Sequence, residues 1–294
     1  MPEDLCTPTA PVHRIGIVGS GTMGAGIAEL CARAGLDVTV AVSGPAAAGR
    51  GRDRLTALLD RHVAKARLTR AERDEALERT VFTAELGDLA DRQFVIEAVP
   101  EREALKAEVF GTLDAVVTDP DAVLATNTSS LSIARLGAAT RRPERVIGTH
   151  FFTPVAAMPL VELVGSLRTA PATRARAEHV VRDLLGKRVI AVPDRAGFLV
   201  NSLLVPYLLA AVRMVESRVA TAEAIDQGMT GGCSHPMGPL RLVDLIGLDV
   251  VASTASAMYD EFKEALYAPP ALLLRMVESG LLGKKTGRGF YTYG

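Results

Sequence analysis

The stretch Arg14-Ile15-Gly16-Ile17-Val18-Gly19-Ser20-Gly21-Thr22-Met23-Gly24 decides the fold of this chain. Its β-branched start predicts a buried strand, and an apolar, alanine-rich helix is predicted to follow it, over residues 22–34. Between them, Gly19 allows a tight turn, Gly21 lets the backbone approach a pyrophosphate, and Gly24 lets the helix pack on the strand. This setting favours a dinucleotide site. The alternative is a glycine-rich turn that binds nothing.

Composition narrows the class of protein. The length of 294 residues allows one large domain or two ordinary ones, and a net charge of -1 gives no reason to expect nucleic acid or an anionic membrane as partner. Cys6, Cys31 and Cys233 are far apart, and no histidines cluster at ligand spacing, which argues against a metal site and a disulfide framework. No apolar run approaches the roughly 18–20 residues that span a bilayer. We therefore expect a cytoplasmic protein without metal.

Strands alternate with helices through the first two thirds of the chain, which predicts a mostly parallel, doubly wound α/β sheet. From Gly197 onward the periodicity is helical, which predicts an all-α C-terminal domain. The predicted domains are a flexible N-terminal extension (1–11), a nucleotide-binding domain (12–193) and a helical domain (194–294). The predicted strands are 15–18, 37–42, 81–83, 94–99, 123–127, 145–152, 160–164 and 188–192.

Helix signals complete this outline. Thr69 and Glu72 have the spacing of a capping box, which opens a helix that reaches residue 79. A long helix is predicted over 198–217 and contains Pro206. It has apolar residues on several sides, of which Leu203 is one, so we expect the helix to be buried. The other predicted helices are 49–66, 103–117, one that begins near Ser132, 173–185, and shorter ones from about residues 222, 243, 250 and 270.

Polar residues follow two of the predicted strands. Ligands of such sheets bind outside the carboxyl ends of the strands, which directs attention to residues 127–130 and to His150. An acidic residue, Glu162, stands inside another apolar strand and requires a partner if it is buried.

Seven motifs then stand in one order along the chain. They are GSGTMG (19–24), NTSSLSI (127–133), GTHFFTP (148–154), LVELV (160–164), GFLVN (197–201) and, near the C-terminus, HPMGP (235–239) with GKKTGRGFY (283–291). Together they resemble the 3-hydroxyacyl-CoA dehydrogenase family, including bacterial 3-hydroxybutyryl-CoA dehydrogenases. The resemblance runs from Arg14 to Tyr293. It implies a Rossmann-type first domain and a helical second domain that carries a homodimer contact.

The resemblance also implies the reaction, which is reversible hydride transfer between NAD and the C3 carbon of a 3-hydroxyacyl thioester. It places His150 on the catalytic base, Glu162 on its carboxylate partner, and Ser129 and Asn201 on groups that bind the reacting oxygen of the substrate. Lys65 falls near the CoA phosphates. The cofactor positions are Gly19, Gly21, Thr22, Met23, Gly24, Val42, Ser43, Asn127 and Thr153, with Glu101 and Lys106 near the nicotinamide ribose and Lys285 as a further contact.

The assignment is chemically sound. Oxidation of a secondary alcohol requires that its proton leave with the hydride, and imidazole titrates near working pH. A carboxylate on the other ring nitrogen fixes the tautomer. Each residue also has a plainer interpretation: His150 capping a strand, Ser129 capping a helix, Asn201 as a surface amide. Glu101, Lys285 and Lys65 could likewise belong to solvated charged faces.

Three departures from the family pattern concern the cofactor and the substrate. Val42 stands where an NAD site usually has an acidic residue for the ribose, so NADP is not excluded, and Arg50 or Arg52 could reach a 2′-phosphate. Thr153 replaces an asparagine beside the nicotinamide, and Pro159 replaces a basic residue. These changes suggest a specialised member of the family.

Several alternatives therefore remain open. One is a dehydrogenase of a hydroxyacyl group tethered to an acyl carrier protein, in the biosynthesis of polyketide extender units such as methoxymalonyl. Another is a sugar-acid dehydrogenase, and a third is a non-catalytic, crystallin-like protein that binds a cofactor.

Overall fold

The structure is a computed structural model that describes residues 11–294. The predicted flexible extension lies outside the described residues except for Pro11, whose carbonyl accepts a hydrogen bond from the Gln93 side chain at 3.0 Å. The chain divides into two compact units, the first ending at Asp194 and the second comprising Arg195–Gly294.

The first unit is built on one eight-stranded sheet with the order β3-β2-β1-β4-β5-β6-β7-β8. Neighbouring strands are parallel except β6 and β7, which are antiparallel. β4 and β5 are buried at every position, as expected for strands covered on both faces. The strands are β1 (Arg14–Val18), β2 (Asp37–Ala41), β3 (Thr80–Thr83), β4 (Phe94–Glu97), β5 (Val123–Thr126), β6 (Val146–Phe151), β7 (Leu160–Gly165) and β8 (Arg188–Pro193). The predicted doubly wound α/β fold is confirmed.

Helices connect these strands. They are α1 (Thr22–Arg33), α2 (Pro45–Ala64), α3 (Arg70–Glu78), α4 (Glu103–Val116), α5 (Ile133–Ala138) and α6 (Pro171–Glu178). The predicted capping box of α3 is present, since the Glu72 amide donates to the Thr69 hydroxyl at 3.2 Å and the Thr69 amide donates to the Glu72 carboxylate at 2.7 Å. The helix predicted over 173–185 is instead α6 followed by a π-helical segment, His179–Leu184.

The second unit is helical, as predicted. Its helices are α7 (Val200–Glu216), α8 (Ala222–Cys233), α9 (Pro239–Ile246), α10 (Leu248–Phe262) and α11 (Ala271–Glu278). Leu208, Val243 and Leu248 are fully buried in its core. The expectation that α7 is buried on several sides is wrong for Leu203, which is 74% exposed in the chain.

Two helix starts were predicted too late, at about residues 49 and 243. The structure begins α2 at Pro45 and α9 at Pro239. Proline lacks an N–H, but the first residue of a helix has no use for one, and its fixed φ suits the helix. Each of these two prolines is therefore the first residue of a helix and does not belong to a loop before it.

Among residues 11–294, no single helix has the length and apolar character needed to cross a membrane. The α9–α10 pair meets the length and composition criteria only when its two helices are taken together, across a 96° bend.

Candidate active site

The glycine turn after β1 has the geometry that the sequence predicts. Gly19 has a φ of +103°, and a Cβ there would lie 2.8 Å from the Ala98 carbonyl oxygen. A Cβ on Gly24 would lie 2.0 Å from the carbonyl oxygen of Gly19, so only glycine allows α1 to approach the turn. A Cβ on Gly21 would meet no protein atom within 4 Å. Gly21 therefore faces open space, where a ligand has room.

The N-terminus of α1 fits a dinucleotide pyrophosphate. Gly21 is its N-cap residue and supplies no side-chain cap, which leaves amides of the first turn for a phosphate. Thr22 is exposed at this end and Met23 is half-buried. These residues would hold the pyrophosphate of NAD when it binds.

His150 and Glu162 form a buried pair. They lie directly opposite each other in the antiparallel β6–β7 ladder, so that both side chains project from one face. The His150 Nδ1 lies 2.7 Å from the Glu162 Oε2. His150 is 7% exposed and Glu162 is 0% exposed. A carboxylate in this position orients the ring and stabilises its protonated form, leaving Nε2 as the atom that can exchange a proton with a substrate.

Asn127 and Phe152 make contacts next to this pair. The Phe151 amide donates to the Asn127 Oδ1 at 3.0 Å, which ties the end of β5 to the end of β6. The Phe152 ring lies beside the imidazole of His150, with 4.5 Å between the ring centroids. The predicted cofactor residue Asn127 thus also secures the strand that carries the histidine.

Ser129 lies in a loop organised by Glu101. The Ser129 amide donates to the Glu101 Oε1 at 2.9 Å, its hydroxyl lies 3.5 Å from the same oxygen, and the Thr128 hydroxyl donates there too. The helix cap nearby is Ser132 rather than Ser129, because the Ser132 hydroxyl accepts from the Arg135 amide at 3.4 Å. The capping alternative for Ser129 therefore does not account for its position.

Lys106 is fully buried and bonds to two carboxylates. Its Nζ lies 2.8 Å from the Glu97 Oε1 and 3.2 Å from the Glu101 Oε2. Glu97, at the end of β4, was missed by sequence reasoning. The signal was available, since Glu97 is an acidic residue in an apolar strand, as Glu162 is.

The loop after β6 contacts α1. The Thr153 hydroxyl lies 2.8 Å from the Met23 sulfur, so two predicted cofactor residues adjoin. Gly26 provides the space for Val155, because a Cβ on Gly26 would lie 2.9 Å from the Val155 Cγ2. The buried Lys187 ammonium donates to the carbonyls of Val155 and Met158 at 2.7 and 2.8 Å, and its burial lowers its pKa below the ordinary value. This lysine fixes the loop, and sequence reasoning missed it.

At the end of β2, Val42 is half-buried and its amide donates to the Thr83 carbonyl at 2.9 Å, while Ser43 is exposed. Arg50 is exposed, and the Arg52 guanidinium lies 5.6 Å from the centroid of the Phe82 ring. The place where a ribose-binding carboxylate is usual is thus occupied by an apolar side chain and a hydroxyl.

The remaining predicted site residues are described within their own units. Lys65 is exposed at the C-terminal end of α2. In the second unit, Asn201 is half-buried in the first turn of α7, and the Lys285 ammonium pairs with the Asp249 carboxylate at 2.5 Å. Within residues 11–294, no three His, Cys, Asp or Glu side chains are grouped so as to hold a metal ion.

Comparison with known proteins assigns both units. A family model described as "3-hydroxyacyl-CoA dehydrogenase, NAD binding domain" matches residues 14–195. Another, "3-hydroxyacyl-CoA dehydrogenase, C-terminal domain", matches residues 197–293.

Individual proteins agree with these models. The 3-hydroxybutyryl-CoA dehydrogenase of Mycobacterium tuberculosis is 57% identical over 282 residues, which are 96% of this chain and 99% of that protein. The crystal structure of FadB2 from the same species has a TM-score of 0.96 at 56% identity, covering 97% of this chain and 100% of that one. That of (S)-3-hydroxybutyryl-CoA dehydrogenase from Ralstonia eutropha has a TM-score of 0.91 at 42% identity, with the same coverage of both chains. The chain therefore belongs to the 3-hydroxyacyl-CoA dehydrogenase family and is an NAD-dependent oxidoreductase that acts on a CH–OH group.

Proposed function

We propose that this enzyme interconverts (S)-3-hydroxybutyryl-CoA and acetoacetyl-CoA, with His150 as the acid/base and Glu162 as the group that orients it. The observation that carries this proposal is the buried His150–Glu162 pair, with 2.7 Å between Nδ1 and Oε2. The names of the relatives at 57% and 42% identity support a four-carbon thioester, and the name of one solved relative supports the (S) alcohol.

In the oxidative direction, the Nε2 of His150 takes the proton of the substrate hydroxyl. When bound at the glycine turn after β1, NAD would supply the acceptor for the hydride that leaves C3. Glu162 stabilises the imidazolium that results, because its carboxylate faces Nδ1 from the neighbouring strand. A site without this carboxylate would lose both the ring orientation and the charge stabilisation.

In the reductive direction, the imidazolium of His150 returns its proton to the oxygen on C3. We propose that Ser129 and Asn201 donate hydrogen bonds to this oxygen and stabilise its developing negative charge. Lys65, exposed at the end of α2, is proposed to contact the CoA phosphates. Glu101, Lys106, Asn127, Thr153 and Lys285 remain proposed cofactor positions.

We further propose that discrimination between NADH and NADPH is weak. A ribose-binding carboxylate repels the 2′-phosphate of NADP, and the end of β2 offers Val42 and Ser43 instead. Val42→Asp is then expected to increase the preference for NADH over NADPH, measured as the ratio of the two kcat/KM values.

We also propose that the enzyme is a homodimer through its second unit. Most of the exposed large apolar side chains of the described residues belong to this unit, although it is the smaller one. Leu203 on α7 and Leu245 on α9 are examples, at 74% and 52% exposure. Large exposed apolar surfaces mark sites of association.

The substrate is tested by following the oxidation of NADH and of NADPH, side by side, with acetoacetyl-CoA. Rapid turnover supports the proposal, and the reverse assay with (S)- and (R)-3-hydroxybutyryl-CoA tests the stereochemistry. Turnover only with an acetoacetyl group on an acyl carrier protein would instead select the carrier-protein function, and turnover only with free hydroxy acids would select a sugar-acid dehydrogenase. Cofactor binding without any turnover would indicate a non-catalytic protein.

A further inference from the structure

A chain of charged groups runs from the end of β4 to the Ser129 loop. At its base, the Glu97 carboxylate accepts from the Lys106 ammonium at 2.8 and 2.9 Å, from the Thr126 hydroxyl at 2.7 Å and from the Val99 amide at 2.6 Å. Both Glu97 and Lys106 are 0% exposed. Every oxygen of Glu97 is therefore bonded, and the ammonium of Lys106 is held in one place.

The same ammonium reaches Glu101. It lies 3.2 Å from the Glu101 Oε2, while the other oxygen of that carboxylate faces the loop, where it accepts from the Ser129 amide at 2.9 Å and from the Thr128 hydroxyl. The Glu101 side chain is 32% exposed, so packing alone does not fix its rotamer. The ion pair with the buried Lys106 ammonium holds the Glu101 carboxylate in place.

Stability is a poor explanation for this arrangement. Moving two charges out of water costs several kcal/mol per ion, and apolar residues of similar volume often serve a fold equally well. Full burial also separates Lys106 from solvent. The ion pair does provide a fixed positive charge next to the more exposed carboxylate of Glu101.

We propose that Glu97 and Lys106 are positioning residues that hold Glu101 in the orientation that aligns the Ser129 loop. Glu97 fixes Lys106, Lys106 fixes one oxygen of Glu101, and the other oxygen orients the Ser129 amide and hydroxyl. This inference rests on the proposed function, in which the Ser129 hydroxyl donates to the reacting oxygen of the substrate.

The test removes the charges of the pair without leaving one of them unpaired. In the double variant Glu97→Gln/Lys106→Met, neither buried charge is left alone, so the fold is expected to survive. Glu101 then lacks its anchor, and we expect kcat for acetoacetyl-CoA reduction to fall on the order of 10–100-fold. Hydrogen exchange should accelerate at the Ser129 amide. NADH binding and thermal unfolding are measured on the same samples.

A double-mutant cycle separates positioning from a general loss of stability. If the pair acts through Ser129, adding Glu97→Gln/Lys106→Met to Ser129→Ala should lower kcat by less than about threefold further, because the hydroxyl it aligns is already gone. Asp114→Asn is the matched control, since Asp114 is a buried carboxylate on the same helix, α4, whose partners are Arg141 and Arg142. It should lose stability but keep kcat.

Additive losses in the cycle, or unchanged exchange at the Ser129 amide, would overturn the inference. A Ser129→Ala variant with full turnover would instead contradict the proposed role of Ser129. In that case, faster exchange of the loop in the double variant still supports the positioning role of Glu97 and Lys106, and unchanged exchange refutes it.

Discussion

At the scale of single residues, four buried carboxylates of the first unit have cationic or imidazole partners, and one of them, Glu29, pairs with Arg33 and His62. Glu162 faces His150, Glu97 bonds to Lys106, and Asp114 binds two arginines. An acidic residue in an apolar strand predicts such a partner, because an isolated buried charge is costly. This reasoning found Glu162. Applied to Glu97 it would have predicted a partner as well, but Lys106 is nine residues further along the chain, and only the fold brings the two together.

Asp114 provides a test of acid stability. Burial raises the pKa of its carboxyl, but hydrogen bonds from Arg141 and Arg142 outweigh burial and lower the pKa from 3.8 to about 2. A lowered pKa means that this contribution to the free energy of unfolding is fully present above the unfolded value and is lost as the pH falls through the folded one. Asp114→Asn should therefore destabilise the protein by about 1–3 kcal/mol at neutral pH.

The measurement is urea unfolding of both proteins over a pH series. The difference in unfolding free energy between them should shrink from about pH 4 towards about pH 2, where the wild-type carboxyl takes up its proton. A difference that stays constant over this range would show that the charge of Asp114 does not stabilise the fold.

At the scale of secondary-structure elements, the β1–turn–α1 unit could be predicted from glycine spacing because each glycine is required for a different steric reason. Gly19 has a positive φ, Gly21 leaves space for a ligand, and Gly24 allows close packing of α1 on the turn. The starts of α2 and α9 were placed too late, since a proline can either end a segment or open a helix, and local sequence does not distinguish the two. The antiparallel pairing of β6 and β7 was not predicted either. It depends on long-range register, and that register is what places Glu162 opposite His150.

The glycine turn yields a matched pair of variants. Gly24→Ala puts a methyl group 2.0 Å from the Gly19 carbonyl oxygen, so we expect it to destabilise the fold by about 1–3 kcal/mol and to abolish NADH binding. Gly21→Ala meets no protein atom within 4 Å, and its backbone lies in the extended region. Its free energy of unfolding should lie within about 1 kcal/mol of the wild-type value. It should nevertheless bind NADH on the order of tenfold more weakly, because its methyl group takes space that the pyrophosphate needs.

Thermal unfolding and NADH titration of the two variants decide the point. If Gly21→Ala binds NADH as the wild type does, the pyrophosphate does not lie against this turn.

At the scale of the whole molecule, the order of strands and helices made a two-part architecture predictable, and seven motifs in one order identified the family. Exposure could not be predicted in the same way. The apolar residues of α7 predict burial whether they face the core of their own unit or a second chain, and Leu203 is exposed in the single chain while Leu208 is fully buried. Composition cannot tell these two environments apart.

The proposed dimer gives a prediction at this scale. Leu203→Glu places a charge on the exposed apolar face of α7, where a second copy is proposed to pack, and should shift the protein from dimer to monomer in sedimentation velocity. Val81→Glu is the control, because Val81 is 57% exposed on β3 of the first unit. A wild-type protein that sediments as a monomer, or a Leu203→Glu variant that stays dimeric, contradicts this surface.

The central claim is that His150 transfers the proton and that Glu162 orients the imidazole ring of His150. The most direct test is the turnover of acetoacetyl-CoA with NADH in the variants His150→Gln and Glu162→Gln. Both side chains keep nearly the original volume, so NADH binding, measured by titration, should be retained. We expect kcat to fall by on the order of 10²–10⁴-fold in each variant, and the double variant to be little worse than either, since the two residues act as one unit. Near-normal turnover in both single variants, with cofactor still bound, would remove the pair from the mechanism.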